Sequence, residues 1–386
     1  MGIGRRADEA AVIMSTQTRK KVLLATPLYP PDIGGPATYA TMLERFLPLS
    51  GVDLTVVAFT PYRRFVKGIS HLLYAVALFS HARHAETIFA LDPVSVGVPA
   101  LLVARLLGKK FIIKVVGDYA WEQGVRSGTV TVSLDKYLRT PFSYGWRTSL
   151  RAHVERAVAS HAQTLIVPSG YLKKVLLTWG IDPSRLVVIP NVALIDRPTE
   201  SPEALQKILG IGPATLVSAG RLVPWKQFDR IIRIMPEILK KVPNAELCIA
   251  GDGPDAEHLV ALTHSLQVTE NVHFLGRLST EDLHRYLVAS RAFILVSTYE
   301  GFSHILIEAL ALGTPIIASD AGGNTEVLEE GRAGYLVPLN DDGALIRTVE
   351  EIFTDQEGVA RRVAEGLRSA GRYTPTAHID CLRTYL

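Results

Sequence analysis

Two cysteines, Cys248 and Cys381, are all that the 386 residues contain. That is too few for a disulfide framework, and neither sits in a CxxC or Cys/His spacing that would hold a metal. Cys248 falls inside a predicted strand, which makes it a buried free thiol and fits a reducing compartment. Charge of one sign is equally scarce: 41 Lys and Arg against 38 Asp and Glu leave a formal net charge of +3. Bulk charge therefore gives no nucleic-acid footprint. No apolar run reaches the roughly 18 uninterrupted residues of a membrane span, and the N-terminus has no apolar core followed by a cleavage site. GxGxxG is absent, so a dinucleotide fold is poorly supported. GxxxxGK[ST] is absent too, which excludes a P-loop, and no DxD follows a strand to suggest a metal. Short repeats and low-complexity tracts are likewise missing.

What is there is ordinary globular material, 48% hydrophobic and 20% charged, in a length that suggests two or three domains at about 150 residues each. Short apolar runs rich in β-branched residues alternate with helical patterns, as in βαβ units and parallel sheets. Strands are expected at 21–26, 54–59, 86–91, 111–116, 164–169 and 186–190. A polar, Pro-containing stretch over 191–205 reads as a linker. The pattern resumes at 214–220, 245–251, 271–276, 292–297, 315–319 and 334–339. The fold class is thus α/β: two Rossmann-like, doubly wound parallel-sheet domains facing across a cleft. The expected divisions are a polar extension at 1–19, a first domain at 20–193, a second at 194–371 and a final helix at 372–386. Ligands of such sheets bind outside the carboxyl ends of the strands.

Two carboxylates stand out in STYEGFSHILIEALALGTPIIASD (297–320). Glu300 precedes a helix whose N-cap is expected at Ser303 and whose end is marked by Gly313 and Pro315. Glu308 lies slightly more than one turn inside that almost wholly apolar helix, and a buried carboxylate needs a polar partner. Sugar hydroxyls would serve, and so would a nearby Arg or Lys in a structural bridge; the residues alone leave both open. In SAGRLVPWKQFDRII (218–232) a strand ends at Gly220 and delivers Arg221 and Lys226 to one side of the sheet. Two fixed cations suit a diphosphate and stabilise charge building on a leaving group. Gly34-Gly35, in a Pro-rich turn before a helix, lets backbone N–H groups approach a phosphate or sugar, and would need no explanation as a plain turn.

In this order the motifs resemble those of the family 4 glycosyltransferases (glycosyltransferase group 1), retaining enzymes of the two-domain GT-B architecture. The matches are the E-x7-E of Glu300 to Glu308, the strand-end G-R-L…K of Gly220 to Lys226, and the Gly34-Gly35 loop, supported by 167–181, 188–191, 249–254 and 322–337. The resemblance covers roughly residues 20–375 and implies that Arg221 and Lys226 hold a donor diphosphate. It places Glu308 on the ribose and Glu300 on the donor sugar. Gly301, Phe302, Ser303, His304 and Ile305 would help to seat sugar and phosphate, and Gly276, Arg277 and Leu278 would touch the base. His304 gains no catalytic role from it. The final helix of such enzymes often crosses back to the first domain. No metal and no cofactor beyond the nucleotide-sugar donor is implied.

The sequence departs from the family in two places. Many members carry a histidine after the fourth strand, where Gly117-Asp118 stands here, so Asp118 is the candidate catalytic replacement or else a helix cap. The common Asn-Gly after the sixth strand is Asn191-Val192. The aromatic, Arg-rich segment 119–151 reads either as an acceptor loop, with Tyr119, Trp121 and Arg126 as its contacts, or as core. The segment 63–85 reads either as a buried helix or as a helix on an anionic membrane surface. The implied activity is retaining transfer of a hexosyl group from a nucleotide sugar to a hydroxyl of a glycan or lipid-linked acceptor, in the cytoplasm or on the inner face of the membrane, with no nucleic-acid partner. A nucleotide-sugar 2-epimerase and a non-catalytic sugar-nucleotide or glycan binder are the alternatives.

Overall fold

The computed structural model describes residues 19–32, 34–66 and 68–386; the expected extension at 1–19 falls outside them except for its last residue. Among the described residues, twelve strands form two six-stranded parallel sheets. The first contains β1 (Lys20–Thr26), β2 (Val52–Ala58), β3 (Thr87–Ala90), β4 (Lys110–Lys114), β5 (Thr164–Val167) and β6 (Leu186–Val188), in the order β2-β1-β3-β4-β5-β6. The second contains β7 (Thr215–Ala219), β8 (Glu246–Ala250), β9 (Val272–Gly276), β10 (Ala292–Leu295), β11 (Ile316–Ser319) and β12 (Tyr335–Val337), in the order β12-β11-β10-β7-β8-β9. Each strand runs inside one of the expected segments or within two residues of its bounds.

The central strands are buried on both faces, so they read as continuous apolar runs rather than alternating ones. β3, β10 and β11 have no exposed residue. Successive side chains still go to opposite faces. In the first sheet Leu23, Ile88, Ile113 and Leu165 pack into one core layer, and Val22, Leu24, Phe89, Ile112 and Ile166 into the other. The second sheet divides in the same way.

The chain does not end on the second sheet. Helix Pro375–Leu382, capped by Thr374, buries Ile379 and Leu382 in the first sheet's outer core layer beside Leu43 and Leu47. His378 fixes it there, accepting from the Tyr39 hydroxyl at 2.7 Å on one ring nitrogen and donating to the Pro190 carbonyl at 2.7 Å from the other.

The structure adds to three expectations. The stretch 191–205 is not all linker, because Ser201 caps a helix, Pro202–Leu209. The segment 119–151, read either as an acceptor loop or as core, holds helix Tyr119–Arg126, the short turn Leu134–Tyr137 and the start of helix Trp146–Ser160, and its Trp121, Leu134 and Tyr137 lie in the first domain's core. In 63–85 the helix begins only at Ile69 and runs to Ala82; it buries Ser70, Tyr74, Leu78 and Ala82 while leaving Ile69, Leu72 and Val76 exposed. One stripe of this helix is thus buried and another is exposed. No helix of the described residues is long and apolar enough to cross a membrane. Cys248 is a buried residue of β8 whose thiol burial pushes up to about 12, and Cys381 is exposed.

Candidate functional site

The strand orders reverse between β1 and β3 in one sheet and between β7 and β10 in the other, and crevices at such reversals are where doubly wound sheets bind ligands. Here the two crevices face each other. A cavity of about 280 Å³ is walled by Gly35 and Pro36 after β1, Leu91 after β3, Trp225 and Lys226 after β7, and Tyr299 to Phe302 with His304 after β10. The ends of β4 and β6 add Lys114, Val116, Glu122 and Asn191.

The second domain's contribution centres on one pair. After β7, Gly220 at φ 150° enters a tight turn backed so closely by Gly251 that a Cβ on Gly251 would lie 1.9 Å from the Gly220 carbonyl oxygen. A 3-10 turn, Pro224–Lys226, then presents Lys226. Its Nζ meets Glu300 Oε1 at 2.5 Å, with both side chains largely out of water. Such a pair adds little net stability, because desolvation offsets the attraction, but each charge depends on the other.

Contacts between the domains hold the Glu300 loop. A Cβ on Gly301 would stand 2.4 Å from the Val116 carbonyl oxygen, so only glycine fits there. Ser169 Oγ donates to the Gly301 carbonyl at 2.7 Å, and Asn191 Nδ2 donates to the Phe302 carbonyl at 3.1 Å. Tyr299 is buried within the first domain's core, 5.0 Å between centroids from Trp121. Glu326 of the second domain accepts from the N–H groups of Gly170 and Tyr171 at 2.8 and 2.6 Å, across the N-terminus of helix Gly170–Thr178.

Asp118, the candidate catalytic carboxylate, does not reach the cavity. It is fully buried, and its Oδ1 accepts from Trp121 N at 2.8 Å as the N-cap of helix Tyr119–Arg126. Its neighbour is Glu155, also fully buried. Burial pushes the Asp118 carboxyl up, and burial together with the Asp118 charge pushes Glu155 well up. The carboxylate that lines the cavity is Glu122, one helical turn further on. Burial, then the Asp118 charge, push it up to about 7, while Lys226 pulls the other way. Gly117 makes room for it: a Cβ there would lie 2.4 Å from Glu122 Oε1 and 3.0 Å from the Tyr299 hydroxyl. Glu122 makes no ion pair or side-chain hydrogen bond among the described residues.

Other expected residues divide. Gly35, Lys226, Glu300, Gly301, Phe302 and His304 come together in the cavity wall. Gly34 lies just behind, capping helix Gly35–Phe46. Ser303 occupies the N-cap of helix His304–Leu312 but makes no capping hydrogen bond with its side chain. Ile305 packs into the second domain's core. Arg221 is exposed beyond the cavity wall and makes no side-chain bond among the described residues. Arg277 is also exposed and pairs with Asp252 at 2.9 Å, while Leu278 packs against the core.

Glu308 answers its own question in part. Its Oε2 stands 3.7 Å from Nε2 of His284, a histidine with no exposure at all. Burial alone would pull that imidazole down, but Glu308 and the Asp196 carbonyl outweigh it, so its pKa is raised. Of the acceptor candidates, Trp121 is 2% exposed and binds the Val132 carbonyl through Nε1, Tyr119 is half-buried, and Arg126 is exposed; none lines the cavity.

Sequence reasoning missed Glu122, Lys114, Tyr299 and Trp225. Only Glu122 carried a signal: it lies four residues after Asp118, hence on the same face once 119–126 is read as a helix.

Two doubly wound sheets whose reversal points face each other across a buried Lys–Glu pair define a GT-B glycosyltransferase architecture. The model of the glycosyl transferases group 1 matches residues 203–369, and that of the glycosyl transferase 4-like domain matches residues 2–192. The chain belongs to this family. It is 33% identical over 225 residues to a D-inositol 3-phosphate glycosyltransferase of Mycobacterium sp. (strain JLS), a match covering 56% of this chain and half the length of that relative. It is 26% identical to the GDP-mannose-dependent alpha-(1-6)-phosphatidylinositol monomannoside mannosyltransferase of Mycolicibacterium smegmatis, over 91% of this chain and 93% of that one. In fold it is similar to Anabaena HepE in complex with UDP and glucose, with a TM-score of 0.73 at 16% identity over 95% of this chain and 99% of that one. Sucrose-phosphate synthase from Thermosynechococcus elongatus gives a TM-score of 0.76 at 18% identity over 95% and 98%.

Proposed function

We propose that the protein transfers a hexosyl group from a nucleoside-diphosphate sugar to a hydroxyl of a glycan or lipid-linked acceptor, with retention and without a metal ion. The observation that carries this reading is the Lys226–Glu300 pair, enclosed between the facing reversal points of the two sheets. Lys226 and the neighbouring Arg221 meet the diphosphate, where charge grows as the sugar departs. Glu300 accepts from sugar hydroxyls, and the N-terminus of helix His304–Leu312 offers N–H groups to sugar and phosphate. Glu308, behind His304 on the same helix face, serves the ribose. Arg277 and Leu278, after β9, border the base. As the bond from the anomeric carbon to the phosphate oxygen breaks, its electron pair leaves with the nucleoside diphosphate and the acceptor oxygen bonds the same carbon. Glu122, the carboxylate of the cavity wall without an ionic partner among the described residues, receives the acceptor's proton.

A lipid-linked acceptor also fits the outside of the first domain. Helix Ile69–Ala82 exposes Ile69, Leu72 and Val76, and the adjoining helix Gly97–Leu107 exposes Leu102 and Leu106, with Arg63, Arg64 and Arg83 nearby in sequence. An apolar stripe with basic flanks suits an anionic lipid surface.

The test begins with thermal shifts for UDP, GDP and ADP and then for their sugars, since a ligand at 100 times its dissociation constant adds about 2.7 kcal/mol. The donor that binds is next incubated without acceptor. Slow hydrolysis or no change, untouched by EDTA, is expected. Formation of a C2 epimer, or no stabilisation by any of the nucleotides or sugars, overturns the reading.

A further inference from the structure

On the first-domain side the cavity wall holds a cation that lacks an anion. Lys114, the last residue of β4, is 2% exposed and lines the cavity. Its Nζ donates to Asn191 Oδ1 at 3.0 Å and lies 3.5 Å from the centroid of the Tyr39 ring. No carboxylate pairs with it among the described residues. The groups packed around it are uncharged: Tyr39 from helix Gly35–Phe46, Asn191 from the loop after β6, His304 from helix His304–Leu312 and His378 from helix Pro375–Leu382. Burial and the Lys114 charge pull His304 down, and the same causes, burial first, take His378 to about 3. An ammonium has three N–H donors, of which the Asn191 bond uses one.

A buried cation without a counter-charge is costly and tends to shed its proton; burial alone takes Lys114 down to about 7. The other lysine of the wall differs, because Glu300 already neutralises Lys226. Beside Lys114 the same wall is formed by Gly35 and Pro36, the first residues of the twelve-residue helix Gly35–Phe46. The positive end of that helix dipole adds to the potential at this point, and since Pro36 has no N–H and those of Ala37 and Thr38 bond the Gly34 carbonyl, the Gly35 N–H is the donor that the first turn offers.

We infer that Lys114 and the first turn of helix Gly35–Phe46 form a binding subsite for a phosphate-type oxyanion. The subsite rests on the donor-cleft reading for its source of anion, which is either the diphosphate of the donor or a phosphate carried by the acceptor. In either case the arriving anion gives the ammonium its missing partner, and the lysine takes up a proton above neutral pH.

Isothermal titration at pH 8 in two buffers of different ionisation enthalpy measures that proton. The first arm titrates UDP, GDP and ADP into the protein. The second titrates glycerol 3-phosphate into protein saturated with whichever nucleotide binds, and inorganic phosphate into protein without nucleotide. Uptake approaching one proton per anion is expected in one of the two arms. Uptake with the nucleotide assigns the subsite to the donor, and uptake with glycerol 3-phosphate over bound nucleotide assigns it to the acceptor. Lys114→Met should abolish the uptake and weaken that anion at least tenfold, and Lys114→Arg should bind it with no uptake. Lys114→Met removes a buried charge, so its melting temperature should not fall, and a melt confirms that it is folded. Wild-type binding with no proton uptake in any arm, or Lys114→Met binding every anion within twofold of wild type, overturns the inference. Failure of the donor reading shows differently: no nucleotide binds the wild type, or Lys226→Ala binds it as well as wild type does.

Discussion

Lys226 Nζ and Glu300 Oε1 stand 2.5 Å apart, the lysine carried by the turn after β7 and the glutamate by the loop after β10. The pair thus bridges the two strands between which the second sheet reverses. In Lys226→Ala the Glu300 carboxylate stays largely out of water with its cation gone, so both binding and stability should suffer. Nucleoside-diphosphate affinity should fall at least tenfold, and the melting temperature should fall by several degrees. Glu300→Gln keeps a hydrogen-bonding side chain beside Lys226; it should bind the nucleotide within about threefold of wild type yet turn over about 100-fold more slowly. Calorimetry and donor-consumption rates check both. Wild-type nucleotide affinity in Lys226→Ala would remove the pair from the donor site.

Glu122, the proposed proton acceptor, should set the pH dependence. As a proton acceptor it works ionised, so the wild-type rate should climb with pH to a plateau, with a midpoint near 7. Glu122→Gln should slow transfer about 100-fold and flatten that rise, the size usual for losing a positioned base. Stability runs the opposite way. The folded state holds this proton more tightly than the unfolded chain, so the stabilisation is present at acid pH and is lost as pH rises from about 4.5 to about 7. Urea unfolding of both proteins across that range should show the slope in wild type and its reduction in Glu122→Gln. An unchanged rate profile in the variant would assign the proton to another group.

Glu326 ties the domains together by accepting from two backbone N–H groups of the first domain, Gly170 and Tyr171. These are charge-assisted bonds at a helix N-terminus. Glu326→Ala should leave each domain folded and loosen their closure, raising the radius of gyration of the free protein in X-ray scattering and lowering turnover. Saturating nucleotide should restore part of the compaction. Equal scattering curves for variant and wild type would mean that the Ser169 and Asn191 bonds to the Glu300 loop suffice on their own.

The legible part of this molecule was set by periodicity. β3, β10 and β11 are short β-branched and apolar runs between helices, and such runs have few other places to go. Strand ends were legible for the same reason, and with them Lys226, Glu300 and the Gly34-Gly35 turn. Side-chain direction was not. Asp118 and Glu122 both follow β4, but which of them lines the cavity depends on helix Tyr119–Arg126 starting at Tyr119, which makes Asp118 the cap bonded to Trp121 N and leaves Glu122, one turn further on, at the cavity wall. Leaving 119–151 open between an acceptor loop and core hid that choice. Lys114 was hidden differently: a lysine closing a strand ordinarily reaches solvent. Tyr39, His304, Asn191 from the loop after β6 and His378 from helix Pro375–Leu382 together close over it, and none of these contacts has a local signature.

The outer face of the first domain yields the last expectation. Leu72 is 65% exposed and Val76 61%, on a helix whose opposite stripe, Tyr74, Leu78 and Ala82, is fully buried. The helix is thus anchored to the domain by one stripe and offers water another, with Leu102 and Leu106 of the neighbouring helix also exposed. Scattered exposed apolar residues are ordinary, but a run of them on two adjoining helices is what a lipid or protein surface covers. Arginines 63, 64 and 83 flank the stripe, which favours anionic headgroups, each basic residue adding about 1 kcal/mol near such a surface. In flotation, the protein should rise with vesicles containing phosphatidylglycerol and much less with phosphatidylcholine alone. The double substitution Leu72→Glu and Val76→Glu changes only exposed positions, so nucleotide binding should persist while flotation is lost. Salt should weaken flotation without abolishing it, because the apolar contact is not screened. Equal flotation of variant and wild type would place any lipid contact elsewhere on the molecule.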